Sequence, residues 1–332
     1  MQNVRVVLLG WGGVGQSFAA VAKERAAGVR ARHRIDISIV GVRRSNSELR
    51  LSPGQDPASG PWTRPGTLST LLADAQATVV VQAIPSDEAG SAAACQQVLD
   101  AFDAGADVVT ATKSHLVTRW RVLEEAAEAS RRAIRVPAAA GAALPMADLS
   151  RRALRGFPCS RLRGSLNGTT NFVLNELAGG VTLGDAIARA RANGIAETDP
   201  SGDLSGRDAA AKLVIAANLL WGRGATVADV AVEGIESATG TLAAAAASRG
   251  RALRSVATAL HDGLTMWVRL EDVADGDPLH RLPGSQKAVE FDCGSAGSIV
   301  LTGGESSRRG AALAMLKDVI NLATGDRAIG FG

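Results

Sequence analysis

Apolar and polar positions along this chain fall into two regimes. Up to about residue 136, short apolar runs alternate with longer mixed segments. V-R-V-V-L-L-G (4–10), I-D-I-S-I-V-G-V (35–42), A-T-V-V-V-Q-A-I-P-S (77–86) and D-V-V-T-A-T-K (107–113) read as strands. The intervening segments predict helices, including 87–104 and 120–132. Strands alternating with helices imply a parallel, doubly wound sheet, which gathers ligands at the carboxyl ends of its strands. Residues 47–66 carry Pro53, Pro57, Pro61 and Pro65 with Gly54, Gly60 and Gly66, the composition of a surface loop.

The pattern changes after the small-residue stretch P-A-A-A-G-A-A-L-P (137–145), which reads as a crossing between domains. Residues 163–174 predict a strand, an Asn-Gly turn and a helix starting at Thr169 or Thr170. Strand-like pieces at 230–236, 253–260, 264–271 and 289–301 suggest an open sheet. A last helix over 306–323 is expected to return to the first domain. The expected fold is α/β: residues 1–136, completed by 305–332, form one domain, and 137–304 form a second, α+β domain.

The most informative stretch is 196–222, A-E-T-D-P-S-G-D-L-S-G-R-D-A-A-A-K-L-V-I-A-A-N-L-L-W-G. Glu197, Asp199 and Asp203 lie in a loop broken by Pro200, Gly202 and Gly206. A helix follows with Asp208 and Lys212 on one face. Around them the helix is apolar on all sides, as buried helices are. Lys212 therefore reads as a buried cation that needs a partner, and Asp208 is the obvious one. The other reading is an exposed pair worth a few tenths of a kcal/mol.

Near the start, Gly10, Gly12 and Gly15 form G-x-G-x-x-G between a strand and a helix. Glycines there let the backbone approach a pyrophosphate at a helix N-terminus, so the turn predicts dinucleotide binding through Gly10, Trp11, Gly12, Gly13, Val14 and Gly15. The second strand ends in Arg43-Arg44-Ser45-Asn46 rather than in an acidic residue. Those arginines suit a 2′-phosphate, favouring NADP(H) over NAD(H); the bland reading is surface charge. The third strand should end above the cofactor, at Ala83 and Ile84, and Lys113 at the end of the next strand is aimed at the crevice. The amides at the start of the 169–170 helix suit a carboxylate, or belong to a plain Thr cap.

Composition narrows the classes. The 332 residues are 46% hydrophobic, with a formal net charge of +3 and a pI of about 9.0. Arginine is scattered rather than massed, and aromatics reach only 3% with no tyrosine, which speaks against a nucleic-acid platform. No apolar run approaches the ~18 residues of a membrane span. A strand beginning at Val4 leaves no room for a signal peptide, so a cytoplasmic protein is expected. Cys95, Cys159 and Cys293 are far apart in sequence and read as ordinary thiols of a reducing cytosol. His33, His115, His261 and His280 form no metal or triad pattern, and His115 reads as a water-contacting loop residue.

Taken in order, G-W-G-G-V-G, T-A-T-K (110–113), A-G-A-A-L-P (140–145), L-N-G-T-T-N-F (166–172) and A-E-T-D-P-S-G-D-L-S-G-R-D-A-A-A-K-L (196–213) resemble homoserine dehydrogenase along essentially the whole chain. The resemblance implies a Rossmann-type NAD(P)-binding domain, a substrate domain on an open mixed sheet, and a homodimer formed through that sheet. It implies reversible reduction of L-aspartate 4-semialdehyde to L-homoserine, on the route to threonine and methionine. It makes Lys113 and Lys212 the lysines flanking the reacting carbonyl, with Asp208 holding Lys212. Glu197 and Asp203 would receive the substrate ammonium, and Gly168 and Thr169 its carboxylate end. Gly304, in the late glycine-rich loop, would touch cofactor. A C-terminal regulatory domain, present in some members, is not expected here.

The chain departs from the family pattern at Thr112, where Asn is usual, at Ser114-His115-Leu116, and at Ile195, where an aromatic is common. Pro137 replaces the Glu of a monovalent-cation site, leaving carbonyls near 140–143 as the remaining candidates. Two alternatives stay open: a paralogue acting on a different amino- or hydroxy-aldehyde, and a silent NADP(H)-binding protein.

Overall fold

In the first strand Val4 and all of Val6–Leu9 are buried, as a strand covered on both faces requires. The computed structural model describes residues 1–197, 199–236, 238–325 and 328–331. The chain divides into two units, Met1–Ala142 with Arg308–Gly332, and Ala143–Ser307. The first unit contains β1 (Gln2–Leu9), α1 (Gly13–His33), β2 (Ile35–Arg43), β3 (Glu48–Arg50), α2 (Leu68–Ala75) and β4 (Val79–Gln82). It continues with α3 (Ser91–Asp103), β5 (Asp107–Thr110), α4 (Trp120–Ser130), β6 (Ile134–Arg135) and α5 (Pro137–Ala140).

Its sheet runs β3-β2-β1-β4-β5-β6. All pairings are parallel except that of β3 with β2. The order reverses between β1 and β4, the switch point where doubly wound sheets bind ligands. The short β3 lies inside the Pro- and Gly-rich segment expected to be loop only. Its Glu48 is bridged to Thr63 by two backbone bonds of 2.9 Å. A three-residue strand is too short for an alternation to stand out.

The second unit opens with α6 (Met146–Asp148), β7 (Arg161–Ser165), α7 (Gly168–Ala178), α8 (Leu183–Ala192), α9 (Ser201–Leu204) and α10 (Arg207–Trp221). Then come β8 (Val230–Val232), α11 (Thr239–Ser248), β9 (Ala252–Leu260), β10 (Met266–Val273), β11 (Lys287–Asp292) and β12 (Ser298–Gly303). The sheet order is β12-β11-β7-β9-β10-β8, antiparallel except for β8 on β10. The piece expected as one strand over 289–301 is thus a hairpin, β11 and β12, turned at Gly294–Ala296. On one side of this unit Val173, Leu174 and Leu177 of α7 pack with Ala186, Ala190, Ala243, Ala246 and Leu253.

Cys159 and Cys293 meet with their sulfurs 2.6 Å apart, both buried. Antiparallel pairing of Asp292 with Arg161 brings the segments just beyond that pair together, a register effect that separation in sequence hides. Burial and the Cys293 thiol push Cys159 up to about 12.

The final helix, α12 (Arg308–Ala323), packs on α1 and α5. Met315, Leu316, Val319 and Leu322 enter the same core as Val6, Leu8, Phe18 and Val81. Contact between α5 and α12 carries the unit boundary to Ala142, past the expected 136, and the return begins at Arg308 rather than 305. Phe331 stacks on Trp120 at 3.7 Å between ring centroids; residues 326, 327 and 332 of the expected C-terminal segment lie outside the described residues.

Between β1 and α1 the glycines have separable duties. A Cβ on Gly10, at φ +99°, would stand 2.2 Å from the Ala83 carbonyl oxygen, and one on Gly15 would stand 2.2 Å from that of Gly10. A Cβ on Gly12 meets nothing within 4 Å. Gly15→Ala is therefore expected to destabilise the first unit by about 2–4 kcal/mol, as overpacking against backbone does. Gly12→Ala should leave the melting temperature nearly unchanged while weakening dinucleotide binding. Thermal unfolding of both variants, with and without dinucleotide, checks the pair.

Candidate active site

In α10 every residue from Ala209 to Asn218 is buried except Lys212, which is half-buried. Its ammonium lies 2.6 Å from Asp208 Oδ2 and donates to the Leu166 carbonyl at 3.1 Å. The two side chains are only 13% and 16% exposed, so the pair is not the solvated surface contact that is worth little.

The network extends through Asn167, which sequence reasoning left without a role. Its Nδ2 donates to Asp203 Oδ1 at 2.6 Å and to Asp208 Oδ2 at 2.7 Å. Its Oδ1 accepts from the Thr170 amide at 2.9 Å. Asn167, not a threonine, is therefore the N-cap of α7, and the helix starts at Gly168. Capping removes one amide of the first turn and leaves those of Gly168 and Thr169 as the candidate carboxylate donors. Gly168 admits no side chain: a Cβ would stand 2.4 Å from the Ser285 carbonyl oxygen.

Of the candidate substrate acids, Asp203 joins the network, while Glu197 is exposed. Burial and the Asp208 carboxylate push the Asp203 carboxyl up, against the Asn167 amide, Lys212 and Thr169. Asp199 instead accepts from the Ser201 amide at 3.0 Å. Ile195 offers its carbonyl to Thr169 Oγ1 at 3.3 Å, so what it contributes in that bond is backbone.

Sequence reasoning also missed Lys287. It heads β11, paired with Gly303, and is 2% exposed. Burial, then the Lys212 ammonium, push its amine down to about 7, against the pull of Asp208. A lysine inside a strand has no local mark; only register brings it to this cluster.

The first unit assembles a second group. Gly10 packs on Ala83, and Ile84 is held by Thr112, whose Oγ1 receives its amide at 3.2 Å and donates to its carbonyl at 3.0 Å. That gives the unusual Thr112 a definite job, tying the ends of β4 and β5 together. The Lys113 amide donates to Ser86 Oγ at 2.9 Å. Arg308 lies over the glycine turn, with Nε 2.6 Å from where a Gly13 Cβ would be, a guanidinium beside the bare N-terminus of α1. Val14 is half-buried in that first turn, against the unit's core.

The two arginines after β2 differ. Arg43 is occupied: it donates to Glu48 at 3.4 Å and to the Gly66 carbonyl at 2.8 Å. Arg44 is exposed and stacks 3.6 Å over Trp62, whose ring is 6.2 Å from that of Trp11. Arg44 is the more exposed of the two, with two indoles beside it.

Gly304, at φ +62°, packs against Leu144, whose amide nitrogen would be 2.7 Å from a Cβ there. Its bareness serves that contact within the second unit. Pro137 is buried at the start of α5, and among the described residues no group of three or more His, Cys, Asp or Glu could hold a metal ion. No helix among them is long and apolar enough to cross a membrane.

A family model described as homoserine dehydrogenase matches residues 145–320, and one described as its NAD-binding domain matches 10–137. The chain belongs to the homoserine dehydrogenase family. A homoserine dehydrogenase of Methanocaldococcus jannaschii is 32% identical over 253 residues, covering 76% of this chain and 74% of the relative. An NAD(+)-dependent homoserine dehydrogenase of Pseudomonas canavaninivorans is 28% identical over 97% of both. The crystal structure of a homoserine dehydrogenase from Thiobacillus denitrificans has a TM-score of 0.85 and 26% identity, covering 98% of this chain and 75% of that one. Like its family, the protein is an NAD(P)-dependent oxidoreductase acting on a CH–OH group.

His115 departs most from expectation. It is fully buried rather than water-contacting, and among the described residues neither ring nitrogen has a hydrogen-bond partner. Burial pushes it down to about 4. An unfolded chain takes up that proton near pH 6.5, so between about 6.5 and 4 the unfolded state binds more protons and stability falls as pH falls. Melting curves across that window should show His115→Leu losing stability less steeply than the unsubstituted protein, by up to about 1.4 kcal/mol per pH unit.

Proposed function

We propose that this homoserine dehydrogenase interconverts L-aspartate 4-semialdehyde and L-homoserine with NADP(H) in preference to NAD(H), as a cytoplasmic homodimer serving threonine and methionine synthesis. The observation that carries the catalytic reading is Lys212, held between Asp208 and the Leu166 carbonyl in an otherwise buried helix. When bound, the reduced nicotinamide supplies a hydride to the aldehyde carbon.

The residues then divide the remaining work. The Lys212 ammonium faces the charge that develops on the substrate oxygen, stabilises it and supplies the proton. In the oxidation direction the amine takes that proton back. Asp208 fixes the position of the ammonium and is itself fixed by Asn167. Asp203 receives the substrate ammonium, with the exposed Glu197 assigned the same duty from the loop. The Gly168 and Thr169 amides take the carboxylate. On the family resemblance Lys113 is the second lysine of the reaction. The glycine turn and Arg308 suit the dinucleotide's diphosphate.

For the cofactor, the supporting observation is Arg44, exposed and stacked on Trp62, with no acidic residue after β2 until Glu48, which is buried against Arg43. A guanidinium so placed favours a 2′-phosphate. The NAD(+)-dependent relative keeps the opposite preference as the alternative.

Oxidation of L-homoserine, followed at 340 nm with each dinucleotide, tests the reading. Lys212→Ala is expected to cut kcat by about 10²–10⁴-fold while dinucleotide binding persists; near-normal turnover would remove Lys212 from the mechanism. Arg44→Ala should raise KM for NADP about tenfold, the loss of one charge-assisted contact, and leave KM for NAD unchanged. Equal effects on both dinucleotides would discard the 2′-phosphate assignment.

A further inference from the structure

Arg44 and Trp62 stand at the two ends of the Pro- and Gly-rich segment, yet they meet face to face. The Arg44 Cζ lies 3.6 Å from the centroid of the Trp62 ring. A short row of backbone pairs brings them together. Arg43, the last residue of β2, pairs with Glu48 in β3, and Glu48 is bridged to Thr63. Arg44 and Trp62 adjoin the two ends of that row. Backbone bonds fix both places: the Arg44 amide donates to the Ser47 carbonyl at 2.8 Å, and Thr63 and Glu48 exchange two bonds of 2.9 Å. Trp62 is half-buried, packs against the core of the first unit, and has its ring 6.2 Å from that of Trp11, tilted by 53°.

The guanidinium itself is uncommitted. Among the described residues its N–H groups make no hydrogen bond or ion pair. Acids nearby in sequence are taken: Glu48 by Arg43 and Arg50, at 3.4 Å each, and Asp56 by Lys23 at 2.8 Å. Stacking occupies the flat face of a guanidinium and leaves its donors, which lie in the plane, unspent. Those donors are the fork that grips a phosphate through two parallel bonds. An unstacked arginine samples many rotamers and loses that freedom on binding; a stacked one has lost much of it beforehand.

Resting on the NADP(H) reading above, we propose that Trp62 is a positioning residue for cofactor choice: its indole holds the Arg44 guanidinium flat, with the N–H edge open to the 2′-phosphate. Trp62 thereby acts through Arg44 and on the phosphorylated dinucleotide alone, since a 2′-hydroxyl offers the fork no charge.

The test is the Kd of NADPH and of NADH, measured by titration calorimetry. The proteins are the unsubstituted one, Arg44→Ala, Trp62→Leu, Trp62→Phe and the double variant of Arg44→Ala with Trp62→Leu. Leucine keeps apolar bulk against the core and removes the ring face, whereas phenylalanine keeps a ring. Arg44→Ala tests the underlying reading and should raise the Kd for NADPH about tenfold, with that for NADH unchanged. Without that selective rise the 2′-phosphate assignment falls, and this inference with it. Given the rise, Trp62→Leu should raise the Kd for NADPH about threefold to fivefold, the worth of one exposed cation–π contact, and keep that for NADH within about twofold. Trp62→Phe should recover most of the loss. Added to Arg44→Ala, Trp62→Leu should cost nothing more, because the group it positions is already gone. An unchanged Kd for NADPH in Trp62→Leu, an equal loss of both dinucleotides, or a full further loss on top of Arg44→Ala overturns the proposal and leaves the Arg44 assignment standing.

Discussion

Holding one ammonium inside an apolar helix is the constraint from which the second unit is built. An isolated buried charge costs several kcal/mol, and its partner must be near and correctly placed. Lys212 meets this with one carboxylate one turn earlier on α10 and one carbonyl from the end of β7. The carboxylate needs support of its own, which Asn167 supplies while also capping α7. A single side chain thereby couples the start of α7 to α9 and α10. Ser285 pressing on Gly168 joins the approach to β11 to the same point. Loss of any member leaves a buried polar group unsatisfied, costing more than the bond itself contributes.

The first unit follows a different logic, because its ligand is expected to be met by backbone. At a turn where two Cβ positions would fall within 2.2 Å of carbonyl oxygens, glycine is the residue that fits. The close approach leaves the N-terminus of α1 uncapped by any side chain, free for an anion. Arg308 adds a cation from the far end of the chain, since α12 packs beside α1. That contribution depends on the return of the C-terminal segment and cannot be inferred from the glycine motif itself.

What could be read from the sequence and what could not divide along the same line. The glycine turn, the alternation of strands and helices, and the Asp208–Lys212 spacing are local, so periodicity exposes them. Asn167 was visible inside L-N-G-T-T-N-F, but its bonds reach Asp203 and Asp208, about 40 residues on. The Cys159–Cys293 contact and the position of Lys287 follow from strand register, which short strands do not announce. β3 was hidden among prolines and glycines. His115 was misjudged because a polar residue beside a strand end suggests solvent, whereas here the loop buries the ring and leaves it without hydrogen-bond partners among the described residues.

The two histidine and lysine exceptions bear on how this member of the family differs from a generic one. His115 and Lys287 are both buried, and burial disfavours the charged form of each, pushing the imidazole down to about 4 and the amine down to about 7. Each is the kind of group that water would normally keep solvated, and each lies within a few residues of a segment assigned to the reaction. Neutralising a basic group by burial is costly, because the unfolded chain can take up the proton instead. Folding tolerates that cost where the surrounding contacts over-determine the position. For Lys287 those contacts are the backbone bonds of β11 and the Asn171–Gln286 bond; for His115 they are the turn bonds from Val117 to Lys113 and from Arg119 to His115. Backbone bonds therefore help to hold both segments in place.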